Sequence, residues 1–341
     1  MPDPLIFVVH GPEIFDTGEL PVLIDRLAPS RIIIAGVMAR TAAEESGIPC
    51  ELAGLPPSMV IRGLPPDTVL VNQGKTPESG MIFGEIVASR LAPRGLIQLE
   101  ASSRTLYLWN REPDALARDI ADKTGYSLEA VRVLKSQRAE ERTIRGCLPG
   151  EAVYVNGIVI GHATGSEVVL SEDGGAIIPV SGMRPKVHGL EKLEGQPMTD
   201  LSRVWCKSGP VRAASPRAGE PRTGPGRVLF LDHCGHRIYD AISPGTCGIV
   251  SVGDDTTAVC GHIASHLGIP VLGIVDGDAD GIVPASFAEG SVIARAVRER
   301  DDDIGREIER MIPEGPVLWG EMVEQIIRYL GNRVHIIRPG R

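Results

Sequence analysis

Along the first 125 residues, short apolar runs alternate with amphipathic stretches. LIFVVHGP, RIIIAGV, DTVLVNQG, GLIQLEAS and TLYLWN read as strands, and ELPVLIDRLA, RTAAEESG, GEIVASRLA and DALARDIADKTG as helices. Apolar strands separated by helices of this length predict βαβ units around a mainly parallel sheet. Residues 126–145, containing SLEAVRVLKSQRAEERTI, continue with a helical pattern. From 147 to 195 the pattern shortens: GEAVYVNGIVIGHA, SEVVLSEDGGAIIPVSG and KVHGLEKL predict short strands joined by Asn-Gly and Gly-Gly turns. PVRAASPRAGEPRTGPGR then lacks the apolar residues needed to order itself and reads as a linker. A second alternation follows. VLFLDHC, GIVSVGDD, IPVLGIVDGD, GSVIARAVR and RVHIIR are strands, with helices at TTAVCGHIASHLG, DDIGREIERMI and WGEMVEQIIRYLG.

The expected fold class is therefore α/β, with two Rossmann-like parallel-sheet layers separated by a small antiparallel β segment. The divisions fall at 1–145, 146–207, 208–226 for the Pro/Gly/Arg-rich linker, and 227–341. Two or more domains also suit a length of 341 residues, beyond what one core usually supports. No G-x-G-x-x-G follows the first strand and no Walker A sequence occurs, so neither dinucleotide binding nor P-loop ATP hydrolysis is indicated.

Composition narrows the functional classes. Hydrophobic residues at 43% and charged residues at 23% describe a globular chain, and no apolar run approaches the roughly 20 residues that cross a bilayer. The N-terminus has no basic region and no small-residue cleavage site, so a cytoplasmic setting is expected and no membrane partner. A net charge of −9 disfavours broad nucleic-acid binding. Six cysteines are too few for a disulfide framework.

The polar residues of the second layer gather at strand ends. VLFL ends in Asp232 and His233, GIVSV in Gly253, Asp254 and Asp255, and IPVLGIV in Asp276, Asp278 and Asp280. Ligands of parallel α/β sheets bind outside the carboxyl ends of the strands, where these acids meet. A hard divalent cation such as Mg2+ relieves their repulsion and brings substrate phosphate with it. Asp276, Asp278, Asp254 and Asp232 are the candidate metal ligands, with Asp280 behind them. An EF-hand fails on Phe287 at the position of the bidentate Glu and on the strand that precedes the loop.

These residues resemble the Toprim domain of primases, topoisomerases and related nucleases, over residues 226 to about 300. Asp276 and Asp278 match its Asp-x-Asp, Gly253 its middle glycine, and Asp232 stands, one methylene shorter, in the place of its Glu. The resemblance implies Mg2+-dependent phosphoryl transfer with Asp232, Asp276 and Asp278 in catalytic positions. HGPEIFDTGE and SVGDDTTAVCGHIASHLGIPVLGIVDGDADGI also resemble an uncharacterised protein family of methanogenic archaea, which implies an archaeal setting and no activity.

Other groups enter as ligand candidates. Asp255, Thr256 and Thr257 sit where a helix starts and its free N–H groups are able to bind phosphate. In the first layer, His10, Gly11, Glu13, Gly36, Arg40, Asn72, Gln73, Gly74, Lys75 and Glu100 occupy strand ends. Arg40 and Lys75 suit a small anionic ligand there. Cys-Gly-His occurs twice, giving Cys234, His236, Cys260 and His262 as a Zn2+ set. His162 and His188 receive no chemistry. The leading expectation is a Mg2+-dependent enzyme acting on a phosphate-containing substrate. The alternative is a non-catalytic protein that binds a small anion or a partner, zinc-stabilised in one version. A homo-oligomer is compatible with either.

Overall fold

The computed structural model describes residues 4–133, 141–155, 158–194, 201, 206–209, 212–276 and 286–339, apart from the side chains of Lys192, Glu194 and His236. The chain divides into two compact units, Met1–Gly150 with Ala163–Met183, and Glu151–His162 with Arg184–Arg341.

In the first unit, strands β1 (Ile6–His10), β2 (Arg31–Ala35), β3 (Glu51–Ala53), β4 (Val69–Asn72), β5 (Leu96–Glu100), β6 (Thr105–Trp109) and β7 (Ser127–Val131) form one sheet in the order β3-β2-β1-β4-β5-β6-β7. β1 to β5 are parallel, and β6 and β7 run against them. Helices α1 (Glu13–Asp16), α2 (Glu19–Leu27), α3 (Val37–Ser46), α4 (Pro57–Arg62), α5 (Pro77–Leu91) and α6 (Ala115–Thr124) connect them. Strand residues alternate between faces. Phe7, Val9, Ile34, Val71 and Leu99 enter one core, while Val8, Ile33 and Leu70 enter the other. Burial on both faces explains why these strands read as continuous apolar runs.

Within this apolar layer lies a satisfied polar ladder. Gln98 Nε2 donates to Asn72 Oδ1 and to the Gly80 carbonyl, each at 2.8 Å, and accepts Trp109 Nε1–H at 2.8 Å through Oε1. The fully buried Glu100 carboxylate accepts the backbone N–H groups of Gly74 and Ser103 and the hydroxyls of Ser102 and Ser103. Its four or more donors make it an architectural group. Gly84 is required opposite this ladder, since a Cβ there would lie 1.7 Å from Gln98 Oε1.

Residues 126–145 differ from their helical pattern. The described part forms β7 and β8 (Glu141–Arg145), and 134–140 lie outside the described residues. β7 pairs with β6 from Thr105↔Ser127 to Trp109↔Val131, so the demand of an unpaired sheet edge overrides the helix preference of Leu, Glu and Ala. Next in the chain come β9 (Ala152–Val155), β10 (Ile158–Ala163), β11 (Glu167–Asp173), β12 (Ala176–Ser181), β13 (Met183–Pro185) and, after helix α7 (Val187–Glu194), β14 (Cys206–Ser208). β12-β11-β8 is an antiparallel sheet, and β13-β10-β9-β14 is a second small sheet. The stretch KVHGLEKL, expected as a strand, is mostly α7. Gly189 lets that helix lie on β10, because a Cβ would come 1.9 Å from the Val159 carbonyl oxygen.

The second unit carries β15 (Arg227–Asp232), helix α8 (Ile238–Ala241), β16 (Thr246–Val252), α9 (Asp254–His266), β17 (Val271–Val275), β18 (Val292–Ala296), α10 (Asp301–Glu309), α11 (Trp319–Leu330) and β19 (Val334–Ile337). The sheet order is β15-β16-β17-β18-β19, with only β19 antiparallel. Val250, Leu272, Ala294, Ile304, Ile308, Met322 and Ile326 share one core. Residues 212–226 pack within this unit. Gly219 N–H donates to the Ser265 carbonyl and Arg222 N–H to that of Gly268, while Arg222 Nη1 reaches the Ser243 carbonyl at 3.0 Å. The described residues form a mixed α/β chain with two mainly parallel sheets and two separate antiparallel ones. Among the described residues no helix is long and apolar enough to cross a membrane.

Both parallel sheets contain the same device. β2 runs into Gly36 (φ 108°, ψ 145°), which opens α3. β16 runs into Gly253 (φ 98°, ψ 143°), which opens α9. Each helix is followed by Gly-Ile-Pro and the next strand, with Gly47 at φ 69° and Gly268 at φ 65°. A histidine from the neighbouring strand lies against the first glycine. A Cβ on Gly36 would be 3.0 Å from His10 Nδ1, and one on Gly253 would be 2.8 Å from His233 Nε2.

Tyr126 is buried in the first core, and its hydroxyl finds no hydrogen-bond partner. Burial, reinforced by Glu19, pushes its pKa from 10.0 up to about 12. The folded state then keeps a proton that the unfolded chain loses above pH 10, so stability falls as pH rises from about 10 to about 12. Denaturant titrations across that range should show this slope in the wild type and a shallower one in Tyr126→Phe.

Candidate functional site

Register in the second unit brings the strand ends level. Asp232 pairs with Val252, and Val252 with Ile274, so His233, Gly253, Asp254 and Asp276 emerge along one carboxyl edge. β18 is in register with β17 at Val275↔Arg295 and leads into α10, whose first turn is Asp301, Asp302 and Asp303. The acids of α9 and α10 therefore stand at helix N-termini, where the macrodipole stabilises each by roughly 0.3–1 kcal/mol.

Among the described residues, three groups in this unit have ligand atoms within 4.8 Å of one another: Asp254, Asp276 and Asp301; Asp232, His233 and Asp302; and His188, Asp301 and Asp302. At such a separation, two ionised carboxylates repel by about 3 to 4 kcal/mol in the effective dielectric of a protein surface. This repulsion is larger than the contribution of either helix N-terminus. Asp301 is fully buried, and its Oδ1 accepts the Asp302 N–H at 3.0 Å.

The two histidines are held by acids. His233 adopts a left-handed conformation at φ 48°. Its Nδ1 lies 2.5 Å from Asp232 Oδ1, to which it donates, and 3.6 Å from Asp302 Oδ1. Residues 187–194 had offered no chemistry in sequence, yet α7 places His188 Nε2 3.4 Å from Asp276 Oδ2 and Nδ1 3.7 Å from Glu191 Oε2. That Nε2 is sealed from solvent and the Asp276 contact lacks hydrogen-bond geometry. Asp255 turns elsewhere. Its Oδ2 accepts the Val159 N–H at 3.0 Å and ties α9 to β10.

The sequence candidates thus separate. Asp276 and Asp254 meet, with Asp301 as the third member. Asp232 joins a neighbouring group with His233 and Asp302. Asp278, Asp280 and Gly281 lie outside the described residues. Thr256 and Thr257 are buried in the first turn of α9, and Thr257 Oγ1 lies 2.9 Å from Ser251 Oγ. Gly253 forms the helix entry beneath His233. Arg40 and Lys75 belong to the first unit, where Arg40 pairs with Glu44 at 2.9 Å on α3 and Lys75 precedes the Thr76–Ser79 capping box of α5. Beside them His10 stacks on Phe83 with centroids 4.5 Å apart, its Nδ1 2.7 Å from the Ala35 carbonyl.

The cysteine and histidine residues take other surroundings. Cys260 is completely buried within α9, and burial together with nearby Cys234 pushes its thiol far above the ordinary value. Burial also raises Cys234, helped by Asp232 and opposed by Arg237. His262 Nε2 lies 3.3 Å from Arg212 Nη1. The His236 side chain is outside the described residues.

The chain belongs to a family described as "Uncharacterized protein conserved in archaea (DUF2117)", whose model matches residues 7–315. Among curated proteins it is similar to the uncharacterised protein MJ0065 of Methanocaldococcus jannaschii, with 30% identity over 328 residues covering 89% of this chain and 90% of that protein. No solved structure matches the chain.

A thiol held protonated in a closed core reacts slowly, because the thiolate is the nucleophile. Alkylation of the native protein followed by peptide mass spectrometry should leave Cys260 unmodified, and denaturation should make it reactive. Rapid native labelling of Cys260 would contradict its placement.

Proposed function

We propose that this member of the archaeal family is a divalent-cation-dependent enzyme acting on a phosphate-containing substrate at the carboxyl edge of its C-terminal parallel sheet. The observation that carries this reading is the convergence of Asp254, Asp276 and Asp301 from one strand end and two helix starts, with ligand atoms within 4.8 Å. Oxygen-only donors of this kind suit Mg2+, which keeps several waters and takes up substrate phosphate. The bound ion would supply charge neutralisation for phosphoryl or nucleotidyl transfer or hydrolysis.

The chain's own residues have separable tasks in this reading. Asp254, Asp276 and Asp301 hold the cation. His188 packs beside the cluster, with Nε2 3.4 Å from Asp276 Oδ2. His233, donating to Asp232, is placed to exchange a proton with a substrate or water oxygen at the edge. Asp278 stays in the proposal as the second acid of the Asp-x-Asp. The Toprim resemblance supports the phosphoryl class through Asp232, Gly253, Asp276 and Asp278. The Rossmann-like character of the first unit is proposed on its strand order, which reverses between β1 and β4 as doubly wound sheets do.

Calorimetric titration with Mg2+ or Mn2+ should give saturable binding to the wild type and at least a tenfold weaker association to Asp276→Asn. In parallel, release of inorganic phosphate from a panel of nucleotides and phosphate esters should require the cation and fall at least a hundredfold in the variant. Equal cation affinity in wild type and Asp276→Asn sinks the metal assignment. Cation binding without turnover of any phosphate compound favours the binding-protein alternative.

A further inference from the structure

We infer that the connection between β18 and α10 is an anion platform, on which Arg295 and Arg298, with Arg300 beside them, take a second phosphate of the substrate. The inference rests on the cation-dependent reading above and narrows its substrate to a short chain of linked phosphates.

The first observation is where these arginines stand. Val275 pairs with Arg295 in parallel register, so Asp276 and the residues that follow Arg295 leave the same carboxyl edge on adjacent strands. Residues 297–300 then lead directly into α10. Arg295, Arg298 and Arg300 are all exposed there.

The second observation is how the charges around them are already paired. Glu299, the acid within the connection, is taken by Arg333, whose Nε and Nη2 donate to its two carboxylate oxygens at 2.8 and 2.5 Å. The same guanidinium donates to Glu307 on α10 at 2.8 and 3.0 Å, and the Arg333 carbonyl accepts the Val297 N–H at 3.0 Å. Forked pairs of this kind fix geometry as well as charge. The connection is thus held by one backbone and one side-chain contact, and Glu299 is withdrawn from the arginines that flank it. On α10, Arg306 in turn takes Asp303 at 2.6 Å. Arg295 and Arg298 make no hydrogen bond or ion pair with any described residue, and Arg300 Nη2 lies 3.7 Å from Glu191 Oε2.

Arginines that merely offset the aspartates of this edge would pair with them, as Arg306 does with Asp303. Here unpaired guanidinium groups and carboxylates occupy one edge side by side, so the edge is divided in sign. A short phosphate chain has the matching division. One phosphate sits on the cation held by the acids, and the next offers oxygens that accept paired hydrogen bonds from guanidinium groups. The net charge of −9 disfavours a long nucleic-acid backbone, which needs many cations along its path.

Calorimetric titration of the full-length chain with inorganic orthophosphate and inorganic tripolyphosphate, at fixed and saturating free Mg2+, tests the platform. Tripolyphosphate should bind the wild type about tenfold more tightly, and the double variant Arg295→Gln, Arg298→Gln should lose about that factor while its orthophosphate and Mg2+ affinities change by less than about twofold. Arg306→Gln removes an equal charge that is already paired, and should leave tripolyphosphate binding unchanged. These side chains are exposed, so circular dichroism of each variant should match the wild type. Equal wild-type affinity for the two anions overturns the second-phosphate assignment, and equal tripolyphosphate affinity in wild type and double variant overturns the platform. Single-stranded oligothymidylate that binds more tightly than tripolyphosphate, and loses that advantage in the double variant, overturns the short-chain substrate in favour of a nucleic-acid backbone. A wild type that binds no Mg2+ overturns the cation-dependent reading, and the same comparison of anions in the presence of a chelator then decides the platform separately.

Discussion

Aspartates held within a few ångströms of one another repel, and the second unit is arranged so that the repulsion cannot be relieved by moving apart. Asp232, Asp254 and Asp276 are fixed at the ends of neighbouring strands in register, and Asp301 is buried at the start of a helix whose Ile304 and Ile308 are locked into the core. Gly248 admits Trp319 against β16, since a Cβ there would come 1.9 Å from its ring, and the indole in turn donates to the Gly290 carbonyl. Packing on one face of the sheet therefore holds charge at its edge.

The small antiparallel sheet has a role in this constraint. Asp255 accepts from Val159 on β10, at the point where the pairing with β9 shifts register. Gly189 seats α7 on the same strand, and α7 brings His188 to Asp276. The segment thereby brings a ring nitrogen to within 3.4 Å of an acid at the end of the parallel sheet. Asp254 and Asp255, adjacent in sequence, divide the work: one faces the cluster and the other anchors the element that supplies His188.

Much of this was legible from residue patterns. Continuous apolar runs marked strands buried on both faces, and the acids ending them located the edge. Asp254 and Asp276 were found that way because strand ends announce themselves by an abrupt change of polarity. Asp301 and Asp302 were missed because an acidic run before an amphipathic helix is also what the helix dipole favours, so RERDDDIG carried no separate signal. His188 was hidden by reading KVHGLEKL with period two, when its Gly189 and its apolar spacing belong to a helix on a bulged strand. SLEAV failed in the opposite sense. Its residues favour a helix, and only the unpaired edge of β6, invisible in sequence, makes them a strand. The groups at Asp278 and His236 fall outside the described residues.

The recurring strand, glycine, helix and Gly-Ile-Pro arrangement carries an implication about how such a chain can change. Between its two glycines the second copy is four residues longer than the first, close to one helical turn. Adding a whole turn lengthens a helix while returning the next residue to nearly the same angular position, so the following Gly-Ile-Pro meets the sheet from the same side. Insertions of one or two residues would rotate the exit by a large fraction of a turn and misaim the next strand. Length variation among related chains should accordingly come in steps of three or four residues at these helices, with the strand-end residues left in place.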